Sequence, residues 1–216
     1  MLSFLRSSSP VRTDTADQNP VIYEDGASAL EFRASGSQYM LRNTHPPFNK
    51  DAPSIMFPPL HYHTHQTEHF RIESGECHLF KDTTERVWKK LSATDPAYEK
   101  TAKISNKIYH TINNASTTEP MTLEVSLTPE DYDGEEEFFR NFFGYLDDCR
   151  RANRPPAFFQ MMVFLRGADT PLAVPLPSQL LGRFVSWCLM HAAGLWGKWV
   201  LGYKETYVEY YRKKQL

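Results

Sequence analysis

HYHTHQTEHFRIESG, residues 61–75, puts four histidines and a glutamate into its first nine positions and then alternates apolar with polar residues up to a glycine. In an extended chain alternate side chains share a face, so His61 and His63 point one way and Tyr62 the other. Glu68 follows after a short polar loop. It opens a second alternating run in which Glu68, Phe70 and Ile72 share one face, while His69 has the opposite parity. His65 falls in the loop itself, as a solvated residue or a mobile acid or base.

The same texture extends on both sides. VIYEDG, ALEFRASG and SQYMLRN are short alternating runs closed by Gly or Asn, and EHFRIESGECHLFKD reads as a hairpin turning at Ser74-Gly75. VWKKLSA, KISNKIYHTINN and MTLEVSLTP continue the pattern, so residues 21–130 are expected to form an antiparallel β-sandwich or barrel. After Pro129 the period changes. EEEFFRNFFGYLDDCRRAN carries Phe138, Phe139, Phe142, Phe143 and Leu146 at helical spacing, acidic at its start and basic at Arg150 and Arg151. Residues 131–216 are therefore expected to be a helical C-terminal extension packed on the β-domain, and residues 1–20, rich in Ser, Thr, Asp and Pro, a flexible arm.

Composition narrows the function. Among 216 residues, 24 basic side chains nearly balance 26 acidic ones, which leaves no basic footprint for nucleic acid and favours a small-molecule substrate. Three widely spaced cysteines, Cys77, Cys149 and Cys188, suit reduced thiols better than a disulfide framework. MLSFLRSSSPVR holds too little apolar sequence for a secretory signal, and a cytoplasmic location is expected. There is no glycine-rich phosphate loop, no nucleophile elbow and no paired-cysteine zinc pattern. The acidic run Asp131–Glu137 reads as helix-terminal charge on a solvated surface. Glu124, with Thr122 and Ser126 on its own face, reads as solvent-facing.

A lone His-x-His is more often a surface feature than a metal site. Here Glu68 can return to the point where His61 and His63 converge, and His110 in KIYHTINN, flanked by Ile108 and Ile112, can supply a fourth ligand from another strand. Phe70, Ile72 and Ile112 are core residues first and pocket lining second. Tyr39, in SQYMLRN, is expected either to pack or to donate a hydrogen bond into the cavity.

These residues resemble the cupin superfamily. His61 to Gly75, read as His-x-His, four residues, Glu, six residues, Gly, matches the first cupin motif, and Pro58-Pro59 before it is similar to many cupins. The glycine that opens the motif is Ile55 here. His110 to Asn114 matches the end of the second motif, while Ser105 and Lys107 stand where its proline and glycine would be. The resemblance implies a mainly β fold, a cupin-like antiparallel β-barrel (double-stranded jelly roll) with a C-terminal α-helical extension similar to that of single-domain cupins from fungal secondary metabolism. It also implies that His61, His63, Glu68 and His110 are metal ligands and the catalytic centre; Tyr39, Phe70, Ile72 and Ile112 are the candidate substrate-pocket residues.

Three neutral imidazoles and one carboxylate suit a divalent transition metal: Fe(II) first, then Mn, Ni, Cu or Zn. The leading expectation is an oxidoreductase of the dioxygenase type acting on a small aromatic or polyketide-like metabolite. Two alternatives stand beside it. One is an isomerase, cyclase or dehydratase using the metal as Lewis acid, or the histidines as acid and base without metal; the other is a non-catalytic binding module.

LLGRFVSWCLMHAAGLWGKWVLGY, residues 180–203, holds three tryptophans but is interrupted by Arg183, His191 and Lys198, too polar for a spanning helix. It reads first as an amphipathic helix packed on the main domain. A dimer contact or a helix lying at a membrane surface are the alternatives. A homodimer is expected, without nucleic-acid or membrane partners.

Overall fold

A computed structural model describes residues 2–213. Nine strands come first: β1 (Val21–Tyr23), β2 (Ser28–Phe32), β3 (Leu41–His45), β4 (Thr67–Ser74), β5 (Glu76–Lys81), β6 (Val87–Ser92), β7 (Thr101–Ile104), β8 (His110–Asn114) and β9 (Met121–Thr128). Three helices follow: α1 (Tyr132–Arg151), α2 (Phe158–Gly167) and α3 (Gln179–Trp196). The fold is thus mainly β with a helical C-terminal part. Two compact units divide it, residues 19–132 and residues 2–18 with 133–213.

In the β-unit every named pairing is antiparallel. One sheet has the order β1-β2-β3-β9-β4-β7 and the other β6-β5-β8. The expected barrel is realised as these two sheets, and among the described residues their ladders do not join into a closed ring. A single bridge between His61 and His110 ties the chain before β4 to β8. The period-two pattern is obeyed on both inner faces: Phe70 and Ile72 of β4, Leu123 and Val125 of β9, Leu79 of β5 and Ile112 of β8 are all buried. Burying side chains of this size contributes about 1.5–3 kcal/mol each.

The expected β4–β5 hairpin is corrected. β4 pairs with β7 and β9, whereas β5 pairs with β6 and β8, so the chain changes sheets at Gly75. That corner needs glycine. Its φ is +75°, and a Cβ there would lie 2.8 Å from the Pro120 carbonyl oxygen. KISNKIYHTINN likewise is not one strand but two, β7 and β8, separated by a turn. Lys107 takes a φ of +63° in that turn, the left-handed conformation for which the cupin pattern has a glycine. Its backbone N–H donates to the His63 carbonyl at 2.7 Å, pinning the turn to the histidine segment. Ile55, in place of the opening glycine, is held by its N–H donating to Glu24 Oε1 at 3.1 Å and needs no positive φ.

Glu124 is also corrected. It is only 1% exposed, on the outer face of the larger sheet, where Arg33 Nη1 lies 2.5 Å away and Arg71 donates to its other oxygen. Burial opposes its ionisation, but the two guanidinium groups outweigh that and hold its pKa below the usual carboxylate range.

In the second unit α1 begins with Asp133 and Glu135 and ends with Arg150 and Arg151, matching the helix dipole. Glu135 and Glu136 are buried rather than solvated, and Arg140 donates to Glu136 at 2.8 Å. Asp148 accepts hydrogen bonds from the Thr13 N–H (3.0 Å), the Thr13 hydroxyl (2.6 Å) and the Tyr210 hydroxyl (2.5 Å). The N-terminal arm is thereby tied to α1 and to the C-terminal segment instead of hanging free over residues 13–15, where the Thr15 N–H also donates to the Glu209 carbonyl.

Candidate metal centre

His61 and His63 sit in an irregular extended segment rather than a full strand, and the one bridge to His110 fixes its register. The His61 N–H donates to the His110 carbonyl (3.1 Å), and the His110 N–H donates back to the His61 carbonyl (2.9 Å). Tyr62 and Tyr109, one on each side of this bridge, pack their rings 5.4 Å apart. Glu68 arrives as the first inward residue of β4, and His110 as the first inward residue of β8.

The result is a compact cluster. One ligand-type atom from each of His61, His63, Glu68 and His110 lies within 4.8 Å of the other three, and all four residues are buried. His110 Nε2 is 2.7 Å from Glu68 Oε2, and His63 Nε2 is 3.3 Å from the same oxygen. Two of the rings are oriented from behind: His61 Nδ1 is 2.9 Å from the Pro59 carbonyl oxygen and His110 Nδ1 2.9 Å from that of Ile108. A carbonyl can only accept, so each Nδ1 carries a proton; on His61 that leaves the Nε2 lone pair for an ion, while His110 Nε2 donates to Glu68 here and would have to give up that proton to ligate. These two carbonyls escaped the sequence reading, since any residue type can supply them.

The electrostatics favour cation binding. Burial lowers the His61 pKa to about 3, helped by the neighbouring His110 and His63, so its ring is neutral at physiological pH. Burial also opposes ionisation of Glu68, but hydrogen bonds from His110 and His63 win and hold it below the usual carboxylate range. Ligand atoms about 2.1 Å from a shared ion stand roughly 3 Å apart at adjacent coordination positions, comparable with the two contacts to Glu68. The donor set therefore fits a divalent metal.

Around the cluster, Phe70 places its ring 6.4 Å from that of His110, and Ile72 and Ile112 continue the same inner faces. Tyr39 is placed elsewhere. It precedes β3, and its ring lies 4.8 Å from the Arg71 guanidinium, on the face of β4 opposite Glu68 and Phe70. His65 is exposed, and His69 projects from the outer face of β4.

Two antiparallel sheets enclosing three histidines and a glutamate, with the His-x-His and Glu ahead of the sheet-changing glycine, make the cupin-like fold and donor set that the sequence resemblance implies. Relatives of the chain sharpen that. The chain is 30% identical over 214 residues to the probable oxidoreductase virH of Hypocrea virens, covering 94% of this chain and 91% of that protein. It therefore belongs to the family of fungal oxidoreductases that includes virH. It is also 30% identical over 157 residues to the epoxidase atD of Aspergillus terreus, covering 71% of this chain and 46% of the epoxidase, so the chain spans less than half of that relative. No family model matches the chain. Among solved structures the cupin domain of Drosophila melanogaster CENP-C aligns over 59% of this chain and 92% of its own, at 11% identity and a TM-score of 0.36, a likeness too distant to carry an argument.

Proposed function

We propose that the protein is a metal-dependent cupin oxidoreductase, of the dioxygenase type, acting on a small aromatic or polyketide-like metabolite. The observation that carries this is the buried cluster of His61, His63, Glu68 and His110 within 4.8 Å of one another. When bound, a divalent transition metal, Fe(II) in the first instance, supplies Lewis acidity and a one-electron couple to an enol or phenol oxygen. The chain's own residues do the rest. Pro59 and Ile108 orient two imidazoles through their Nδ1 protons, and ionised Glu68 leaves a divalent site one positive charge to attract an acidic hydroxyl group. Phe70 and Ile112 offer an apolar wall that orients a flat ring and excludes water. The names of the relatives support an oxidative reaction. The test is oxygen uptake by Fe(II)-loaded protein on a panel of phenolic and enolic metabolites, with substrate loss measured in parallel; turnover that proceeds equally without oxygen overturns the dioxygenase reading.

A second reading has its own observation. His110 and Glu68 already form a hydrogen-bonded imidazole–carboxylate dyad, a proton-transfer pair that serves an isomerase, cyclase or dehydratase. Anaerobic turnover that survives chelation would favour it.

A further inference from the structure

Helix α3 is packed inside out. The residues it buries are Gly182, Ser186, Met190, Ala193 and Gly194, most of them small, and Gly197 just beyond continues the stripe. They let α2 approach closely: a Cβ on Gly194 would lie 2.9 Å from the Met162 carbonyl oxygen, and one on Gly197 2.9 Å from that of Phe159. The large apolar residues face the other way. Leu180, Phe184, Trp187, Trp196 and Trp199 are 73%, 63%, 45%, 53% and 68% exposed. A helix that packs against protein on water's terms does the reverse and buries its large side chains. Small residues at the helix contact with bulky ones outside is the arrangement of helices in contact with lipid.

Two further observations say what covers this face. The first is continuity. The Leu2 N–H donates to the Val200 carbonyl at 2.6 Å, so Phe4 and Leu5, 78% and 63% exposed, extend the same apolar surface. The second is charge. Between Asp169 and Glu205 there is no acidic residue, while Arg183, Lys198 and Lys204 fall in that interval; residues 2–13 likewise hold Arg6 and Arg12 and no acid. Glu205 takes up Lys198 at 2.5 Å at the edge of the segment. A second copy of this chain is a poor occupant, because a two-fold contact sets the patch against itself and brings its basic residues together. An anionic lipid surface complements the same charges, and tryptophan with Lys and Arg is the composition that settles at a bilayer interface. No helix among the described residues is long and apolar enough to cross a membrane, which leaves a helix lying in its surface.

We infer that α3, the turn Gly197–Leu201 and the N-terminal residues Leu2–Leu5 form a docking face for an anionic membrane surface, with Trp187 and Trp196 at its two margins and Trp199 between them. The test uses the full-length protein with vesicles of phosphatidylcholine alone and of phosphatidylcholine with phosphatidylserine. Flotation with the mixed vesicles is expected, weaker on phosphatidylcholine alone and at high salt, with a blue-shifted tryptophan emission quenched by brominated acyl chains. The combined Trp187→Ser, Trp196→Ser and Trp199→Ser variant is expected to bind about tenfold or more weakly with unchanged circular dichroism. The quenching needs no variant, so the test stands even if that variant misfolds. The inference is overturned if wild-type protein floats with neither vesicle, or if light scattering shows a dimer that the triple variant dissolves.

Discussion

The Nε2 atom of His110 stands 2.7 Å from Oε2 of Glu68, joining the first inward residue of β8 to the first inward residue of β4 across 42 positions of sequence. This contact closes the candidate metal centre and makes Glu68 the residue on which two imidazoles converge.

In metal-free protein, Glu68→Gln should therefore lower stability at neutral pH by about 1–3 kcal/mol, the usual cost of disturbing a buried charge-assisted hydrogen bond. The folded pKa of Glu68 lies below its ordinary value of 4.5. Its contribution is present above that value and is lost as the pH falls further, so the variant should show a shallower loss of stability below about pH 4.5. Urea titrations in chelator, at pH 7 and across the acid range, measure both effects.

His45 gives a contrasting window. It is 1% exposed, its ring stacks on Phe57 at 5.4 Å, and neither ring nitrogen has a protein partner among the described residues. Burial lowers its pKa from 6.5 to about 3. Between those values the unfolded chain binds a proton that the folded chain refuses, so stability must fall with falling pH, by about 1.4 kcal/mol per pH unit for one such group. His45→Leu should remove that slope and stabilise the protein at pH 5. A variant as acid-sensitive as the wild type would show that His45 is not held neutral.

Two turns make opposite predictions. Gly75→Ala places a side chain at φ +75° and against the Pro120 carbonyl, and should cost about 1–3 kcal/mol. Lys107→Gly relieves a lysine at φ +63° and should raise stability by about 0.5–1 kcal/mol. Thermal melts of the pair check both signs.

Much of this was readable from residue order. The spacing from His61 to Gly75 and from His110 to Asn114 located the four clustering residues, because alternation along a strand fixes which side chains can meet. Strand neighbours were less accessible. Nothing local to EHFRIESGECHLFKD says that Gly75 is a corner between sheets rather than a hairpin turn, since pairing is decided by β9 and β8 far along the chain. Of the two expectations for Tyr39 the structure shows packing: β3 begins only at Leu41 and the ring lies under Arg71, away from the cavity. Glu124 read as solvated because its cover, Arg33 and Arg71, comes from distant segments. Lys107 stands where the cupin pattern has a glycine, and the backbone keeps the left-handed geometry with lysine in it.

The most direct test of the metal centre is mass-spectrometric metal analysis of protein purified without a histidine tag or chelator, beside the His61→Ala, Glu68→Gln double variant. Near-stoichiometric transition metal is expected in the wild type and none in the variant. A wild type that is empty and takes up no added Fe, Mn, Ni, Cu or Zn would contradict the metal-centre reading.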